Sequence, residues 1–302
     1  MMKHPLSAVL AFYFLTGCAI SSSAPVAPTP SPISSPRETS NPSAAPEARA
    51  KTWRIIPTSA SQTYTSVLAS SIHQSDGSDA RDDSLIVTST YSISIQRSAD
   101  TISITGSIND FRIDVRGRLL SVDTIQPKLP LSFTGKITTT RIRLQTADKV
   151  QSQTLCDDIS QTPLGIVQRN VFTIPIEVTN EQSWRDSTTS AICNGSLPIS
   201  VTTLRSYQLI GTAQLDGVSV LVIDQKERAL SSGEGSQGQH RIFIQTLGNT
   251  TRRLYADKTS GLLIASKAES KIELSIQSSG RVQHFIQTST EILTKSKQPL
   301  ID

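Results

Sequence analysis

The sequence lacks the residue clusters that mark most catalytic and metal-binding sites. It has four histidines and three cysteines in 302 residues. The histidines beyond the N-terminal segment, His73, His240 and His284, are far apart and fit no HxH, HxxxH or HExxH spacing. There is no CxxC pair and no G-x-S-x-G elbow. We therefore predict no catalytic residue, no metal site and no cofactor, and we expect that the chain is not an enzyme.

The sequence also lacks a run of basic residues. The formal net charge is +4, charged residues make up 18% of the chain, and acidic and basic residues alternate along it. A nucleic-acid-binding protein would concentrate its basic residues on one face, so we expect no nucleic-acid partner. Aromatic residues make up only 5%, which leaves the core to isoleucine, valine and leucine.

One glycine motif has the spacing of a dinucleotide-binding loop. Residues 233–238 read GEGSQG, which matches GxGxxG. That motif binds pyrophosphate only when a helix follows it, because the helix N-terminus receives the negative charge. Here HRIFIQT follows, which has the alternation of a strand. We therefore expect a flexible hairpin loop at this position and no nucleotide site.

Three charged pairs have simple explanations. The carboxylates at 82–83 and 157–158 could serve a glycosidase or a cation site, but adjacent residues on a strand point to opposite faces. We expect both pairs to be solvated. The arginines at 252–253 could contact lipid headgroups or a polyanion, but we expect them on a solvated edge strand.

The N-terminus has the organisation of an export signal. Lys3 and His4 precede an apolar stretch from Leu6 to Leu15. A permanent membrane span needs about 20 apolar residues, so this stretch is too short, and it fits the apolar region of a secretory signal. It ends in Leu15-Thr16-Gly17-Cys18.

That tetrapeptide resembles the lipobox of bacterial lipoproteins. The resemblance implies a signal peptide at residues 1–17, cleavage before Cys18, and lipidation of the Cys18 thiol. The partner would then be a membrane, reached through the lipid anchor. Ala19 stands where aspartate would retain the protein at the inner membrane of Gram-negative bacteria, which favours the outer membrane. The alternatives are a secretory signal with an incidental cysteine, or an uncleaved anchor.

Residues 18–50 have the composition of a disordered tether. Serine, alanine and threonine dominate, and little is apolar enough to bury. Such a segment cannot offset its ordering entropy. Seven prolines favour extended polyproline conformations: Pro25, Pro28, Pro30, Pro32, Pro36, Pro42 and Pro46. We expect this linker to hold a folded domain, residues 51–302, away from the membrane, facing the periplasm or the exterior.

That domain alternates apolar and polar residues. The runs at 84–96, 100–115 and 136–146 do so, as do 169–179, 204–229 and 240–293. A period of two is the signature of strands with one buried face. We predict an all-β, antiparallel, meander-rich curved sheet or half-barrel. Two β lobes are the alternative, because the groups at 84–146 and 204–293 flank a different middle segment.

Short turn signals separate the predicted strands. Asp216-Gly217 is a strong hairpin dipeptide. The segments 257–261 and 278–280 are turn-like, and Gly248-Asn249 is a further candidate.

The middle segment carries the two remaining cysteines. Cys156 and Cys193 would form an even pair in an exported chain, where disulfides persist. We predict a structural disulfide that closes this segment. A redox pair or a pair of metal ligands is the alternative.

The stretch LYADKTSGLLIASKAES, residues 254–270, contains a D-x-x-[ST]-G turn followed by an apolar strand. In this it is loosely similar to the LolA/LolB-like lipoprotein carriers, whose curved sheet holds acyl chains. The resemblance implies a non-catalytic, lipid-binding lipoprotein. The sequence departs from that family in its low aromatic content and in showing no clear lid helix. The alternatives are a structural or protein-interaction lipoprotein with a filled core and, with least support, an envelope hydrolase.

Overall fold

The computed structural model describes residues 51–55, 59–74, 82–98, 101–115, 118–119, 129–138, 141–146, 161–171, 174–175, 177–194, 197–237 and 240–296. Cys18, the signal peptide, the linker, Cys156 and Asp157-Asp158 lie outside the described residues, so the interpretations that concern them stay predictions. Cys193 lies in a described strand.

The described chain is built almost entirely of strands. The strands are β1 Thr52–Arg54, β2 Ala60–Gln74, β3 Asp82–Ser98, β4 Thr101–Val115, β5 Arg118–Leu119, β6 Leu131–Thr138, β7 Arg141–Thr146, β8 Glu177–Thr179, β9 Ser183–Asn194, β10 Leu197–Leu215, β11 Val218–Gln237, β12 His240–Asp257, β13 Leu263–Ser278 and β14 Arg281–Lys295. A helix, α1, spans Gln161–Arg169.

Twelve of these strands form one antiparallel sheet. Its order is β7-β6-β4-β3-β2-β14-β13-β12-β11-β10-β9, with β5 beside β4. The sheet is curved and open, which confirms the predicted all-β fold. The alternative of two lobes is wrong, because β14 pairs with β2 from Phe285↔Gln74 to Lys295↔Tyr64 and makes the two meanders one sheet. Strands β1 and β8 form a separate two-stranded sheet.

Two tight hairpins confirm the turn chemistry of the sequence. Asp216 and Gly217 both have positive φ, 49° and 78°, and Ser279 and Gly280 repeat this with 50° and 76°. Two consecutive residues with positive φ, between two paired strands, make a type I′ turn, and the twist of this turn matches that of the flanking strands. Asp-Gly accommodates it readily because glycine carries no Cβ.

The predicted turn at 257–261 is also confirmed. The Asp257 carboxylate accepts hydrogen bonds from the Ser260 amide at 2.6 Å and from the Ser260 hydroxyl at 2.9 Å. The Gly261 amide donates to the Asp257 carbonyl at 2.8 Å, with the glycine at φ 69°. An aspartate that bonds the backbone ahead of it fixes a turn in this way.

The glycine predictions inside strands are wrong. Gly248 and Asn249 lie within β12, and residues 233–237 continue β11, so neither is a loop. A Cβ on Gly233 would lie 2.7 Å from the Pro198 carbonyl oxygen on β10. Glycine here permits close approach of the neighbouring strand, a use that the sequence alone does not separate from a turn.

The segments around the helix also differ from expectation. The alternation at 169–179 predicted a strand, but α1 ends at Arg169, and among the described residues of this run only β8 is a strand. Leu164, Ile166 and Val167 of α1 are buried against the sheet. The alternating run at 136–146 is divided between β6 and β7, which pair as a hairpin.

The core lies on the face of the sheet that α1 covers, which we call the inner face. Its main cluster includes Tyr64, Leu85, Val87, Tyr91, Ile108, Phe111, Leu209, Ile223, Leu254 and Leu293, together with Ile55, Val178 and the buried side of α1. A smaller cluster lies near the other end of the strands: Ile72, Ile199, Val201, Ile244, Ile272, Leu274 and Phe285. All of these side chains are buried, so the inner face is packed along both parts.

Candidate functional site

A row of polar residues crosses the inner face between the two apolar clusters. The strand register places one residue from each of seven consecutive strands at the same level: Asp186, Arg205, Glu227, Thr250, Ser270, Ser289 and Ser70. We call this the polar row. Its hydroxyl end bonds internally, with Thr250 donating to Ser270 at 3.0 Å. Its charged end lies at β9, the last strand on that side of the sheet in the described part of the chain.

The charged end and two neighbouring aromatic residues form the edge site, defined as Trp184, Asp186, Arg205, Tyr207 and Glu227. Arg205 Nε donates to Glu227 at 2.7 Å and its Nη1 donates to Asp186 at 3.3 Å. The Tyr207 hydroxyl donates to the other Asp186 oxygen at 3.0 Å. The side chains of Asp186, Arg205 and Glu227 are 30%, 21% and 19% exposed. The edge site is therefore ordered by its own hydrogen bonds and still reached by solvent.

Burial and neighbouring charge both act on the edge site. Burial alone would lower the pKa of Arg205, but the carboxylates of Glu227 and Asp186 outweigh it, and the pKa lies above its ordinary value. Burial raises the pKa of Tyr207, and Asp186 raises it further. The guanidinium and the phenol therefore keep their protons across the physiological range.

A second ion cluster lies deeper, under α1. We call it the helix cluster, and it consists of Ser66, Arg169, Asn170, Arg252 and Glu291. Arg252 Nη2 donates to Glu291 at 2.8 Å, and Arg252 Nη1 donates to the Asn170 side chain at 2.6 Å. Glu291 also accepts from Asn170 at 3.0 Å and from Ser66 at 3.1 Å. The Arg169 Nε lies 3.9 Å from the same carboxylate. Because Asn170 follows α1 and also donates to the Ile166 carbonyl at 3.0 Å, this helix cluster ties the end of the helix to β2, β12 and β14.

Glu291 is held as a carboxylate. Burial would raise its pKa, but the guanidinium groups of Arg169 and Arg252, with hydrogen bonds from Asn170 and Ser66, outweigh burial and lower the pKa to about 2. A general acid or base works best with a pKa near the working pH. Glu291 is therefore suited to holding the helix and unsuited to proton transfer.

The residues singled out from the sequence are only partly brought together. His73 Nδ1 lies 2.7 Å from Asp82 on an exposed part of the sheet. His284 lies on β14, which neighbours β2, and pairs in register with Ser275. Among the described residues, no group of three metal-ligating side chains is found. The expected solvation holds for Asp82, whose side chain is exposed.

The expectation of an edge strand is wrong for both Arg252 and Arg253, and the expectation of solvation is wrong for Arg252. Both lie on β12, an interior strand of the sheet, and successive residues point to opposite faces. Arg253 is exposed and pairs with Asp224 at 2.7 Å. Arg252 is buried in the helix cluster. A buried arginine needs a partner distant in sequence, and nothing near residue 252 indicates Glu291.

The edge site was not predicted. Its residues come from three segments, and β9 was not recognised as a strand because SWRDSTTSAICN contains few apolar residues. The alternation of β10 gave a usable signal, since Arg205 and Tyr207 share a face with the buried Val201 and Leu209. A charged residue on the buried face of a strand predicts an oppositely charged partner on the same face of the sheet.

The outer face of the sheet carries two open grooves. The larger, about 880 Å³, is lined by Leu230, Leu247, Ile286, Glu273 and His284 among others. The smaller is about 540 Å³. Large apolar side chains are also exposed: Val67, Ile86, Leu204, Ile210, Val218, Leu230, Val282 and Ile292.

Comparisons with known proteins give no family. No family model matches the sequence, and no curated protein matches it. Among solved structures, OccK2 (OpdF) from Pseudomonas aeruginosa is similar over 78% of this chain and 98% of its own, with 6% identity and a TM-score of 0.23. A DUF1329 family protein from Desulfovibrio piger is similar over 79% and 88%, with 14% identity and a TM-score of 0.16.

A third similar structure comes from Vibrio parahaemolyticus and is described as an outer membrane lipoprotein-sorting protein domain. It is 6% identical, covers 79% of this chain and 87% of its own, and has a TM-score of 0.13. These TM-scores are too low to support a conclusion about fold or function, and the fold assignment rests on the strand pairing itself. In the described part of the chain, no helix is long and apolar enough to span a bilayer.

Proposed function

We propose that the chain is a lipid-anchored, non-catalytic binding protein of a bacterial envelope. In this proposal Cys18 carries the anchor, residues 19–50 are the tether, and the ligand contacts the edge site. The observation that carries the proposal is the contrast on the inner face: the apolar clusters are buried, while the edge site is preformed and open to solvent. Binding sites combine a few fixed polar groups with aromatic surface in this way.

The same contrast bears on the carrier hypothesis. An acyl chain held along the inner face would have to displace packed side chains and cross the ionised end of the polar row. Burying apolar chain against charged groups is unfavourable, because the charges lose hydration without gaining a partner. A packed core is therefore the better account of the inner face, and the hydrogen bonds at the edge site favour a polar ligand.

The absence of catalysis is part of the proposal. Both edge-site carboxylates are engaged by Arg205, and Glu291 is held ionised with a pKa of about 2. These pairings commit the charged groups to one another and favour binding over proton transfer.

The anchor is tested by replacing Cys18 with serine in the full chain. The parent protein is expected in the membrane fraction, and the Cys18→Ser variant in the soluble fraction, without the mass of the diacylglyceryl group. Cys156→Ser is the matched control and should partition like the parent. Membrane partitioning of Cys18→Ser at unchanged mass would overturn the lipoprotein proposal.

The packed inner face is tested by native mass spectrometry of the soluble Cys18→Ser chain, purified without detergent. We expect a mass free of lipid-sized adducts. A reproducible lipid adduct would reject the packed-core reading and restore the acyl-chain carrier.

Recruitment of a protein partner to the outer face is the second candidate function. The observation that favours it is the exposed apolar side chains that line the grooves, Leu230 in the larger and Ile86 in the smaller. Cross-linking in cells distinguishes the two: an adduct that is lost on Leu230→Asp, but kept on Arg205→Met, supports the outer face as the functional surface.

A further inference from the structure

The aromatic pair of the edge site is stacked and partly exposed. Trp184 on β9 is directly opposite Tyr207 on β10, and their rings are 5.3 Å apart at an interplanar angle of 9°. Tyr207 is buried, whereas Trp184 is half-buried. The stack covers one face of the indole. Strand β9 is the last strand on that side of the sheet in the described part of the chain.

The orientation of the indole is set by stacking. Its Nε1 is buried and has no hydrogen-bond partner among the described residues. The ring is therefore held by packing against the main apolar cluster, of which Tyr207 is a member. A stacked ring loses little freedom when a ligand contacts it, because its rotamer is already fixed.

The polar groups beside the indole are equally fixed. Arg205 joins Glu227 and Asp186, and Asp186 is held from its other oxygen by Tyr207. The formal charges of Asp186, Arg205 and Glu227 sum to −1. The site therefore offers several hydrogen-bond acceptors and a guanidinium donor, and it repels anions.

We infer that the edge site binds a neutral saccharide, with one pyranose ring against the exposed part of Trp184 and hydroxyl groups of the glycan on Asp186 and Arg205. This rests on the proposed function, and it names the ligand class. A sugar ring has a face of C–H bonds that carry partial positive charge, and an aromatic face is the negative part of the ring quadrupole. The hydroxyl groups at its rim donate and accept hydrogen bonds, as carboxylates and a guanidinium require. The net charge of −1 disfavours uronic acids and other anionic sugars.

The test is calorimetric titration of the full-length Cys18→Ser chain with defined tetrasaccharides. The probes are N-acetylglucosamine tetramer, cellotetraose and maltotetraose, which separate an amino-sugar glycan from β- and α-glucans, with tetragalacturonate as the anionic probe. We expect at least one neutral probe to bind and the anionic probe not to bind. Failure of all three neutral probes, or preference for the anionic one, would overturn the inference.

Variants then locate the binding. Trp184→Ala is expected to weaken binding of the neutral probe about tenfold or more, because the stacking surface is lost. A tenfold change in affinity corresponds to about 1.4 kcal/mol. Trp184→Phe should retain most of it, because a stackable ring remains. Trp53→Ala is the matched control and should bind like the parent, as Trp53 lies on β1 outside the edge site. Thermal unfolding shows whether each variant is folded.

The outcomes of the two proposals are distinguishable. Undiminished saccharide binding in a folded Trp184→Ala chain places the ligand elsewhere and overturns the inference. A lipid adduct in the native mass spectrum, by contrast, rejects the packed inner face and with it the proposed function, whatever the saccharides do.

Discussion

Two charged clusters lie on the same face of the sheet and use the same chemistry, an arginine against a carboxylate at close to 2.8 Å. In the helix cluster, the side chains of Arg252 and Glu291 are 7% and 5% exposed. In the edge site, those of Arg205 and Glu227 are 21% and 19% exposed. The helix cluster is sealed by α1, whereas the edge site lies by the last described strand.

Burial, more than pairing, decides the role of an ion pair in this sheet. Removing charges from water costs several kcal/mol per ion, so a sealed pair depends on every partner it has. A solvent-exposed pair contributes little to the free energy of unfolding, so replacing one partner changes stability only slightly. We assign the helix cluster to structure and the edge site to recognition on this basis.

Replacing Glu291 with glutamine should have the largest effect. The change keeps the shape and removes the charge, which leaves the guanidinium groups of Arg252 and Arg169 buried beside a neutral amide. Breaking a buried pair costs about 3–5 kcal/mol, and we expect a loss of that size in the free energy of unfolding, measured in urea.

Glu227→Gln is the matched control, with the same chemical change at the edge site. It should cost about 1 kcal/mol or less. Equal losses in the two variants would show that the clusters do not differ as proposed.

The stability contributed by Glu291 should depend on pH. The folded pKa of Glu291, about 2, lies below its unfolded value of 4.5. Its contribution is therefore present above pH 4.5 and is lost as the pH falls toward 2. The difference of about 2.5 pKa units corresponds to about 3 kcal/mol.

The measurement is urea unfolding of the parent and of Glu291→Gln across that pH range. The stability difference between the two should shrink as the pH falls. A difference that stays constant would mean that Glu291 does not titrate in this range and would contradict the assignment of the helix cluster.

The sequence predicts the local part of this fold well. Alternation identifies most of β3, β4 and the strands after residue 204, and Asp216-Gly217 fixes a hairpin because its backbone requirement is local. The pairing of β14 with β2 joins residues more than 200 positions apart, and no local pattern encodes it. The prediction of a loop at Gly233 is wrong because glycine occurs both in turns and where two strands approach closely.

The candidate site is less predictable than the fold. The polar row exists only once seven strands are in register, so its members have no common sequence signature. Arg252 and Glu291 are separated by 39 positions, and Trp184 lies in a strand too polar to be recognised. What could be read locally was the inward position of Arg205 between Thr203 and Tyr207, which are buried.

The smallest expected effect is also the one that compares the two pairs most directly. A double-mutant cycle with Arg205→Met and Glu227→Gln should give a coupling free energy of about 0.5–1 kcal/mol. Because these side chains meet solvent, about 1 M salt should reduce that coupling, as the Debye length falls to about 3 Å. The same cycle on Arg252 and Glu291 should give a larger coupling that salt barely changes. A salt-insensitive coupling at Arg205 would mean that the edge site is sealed like the helix cluster, which would remove the physical basis for ligand access there.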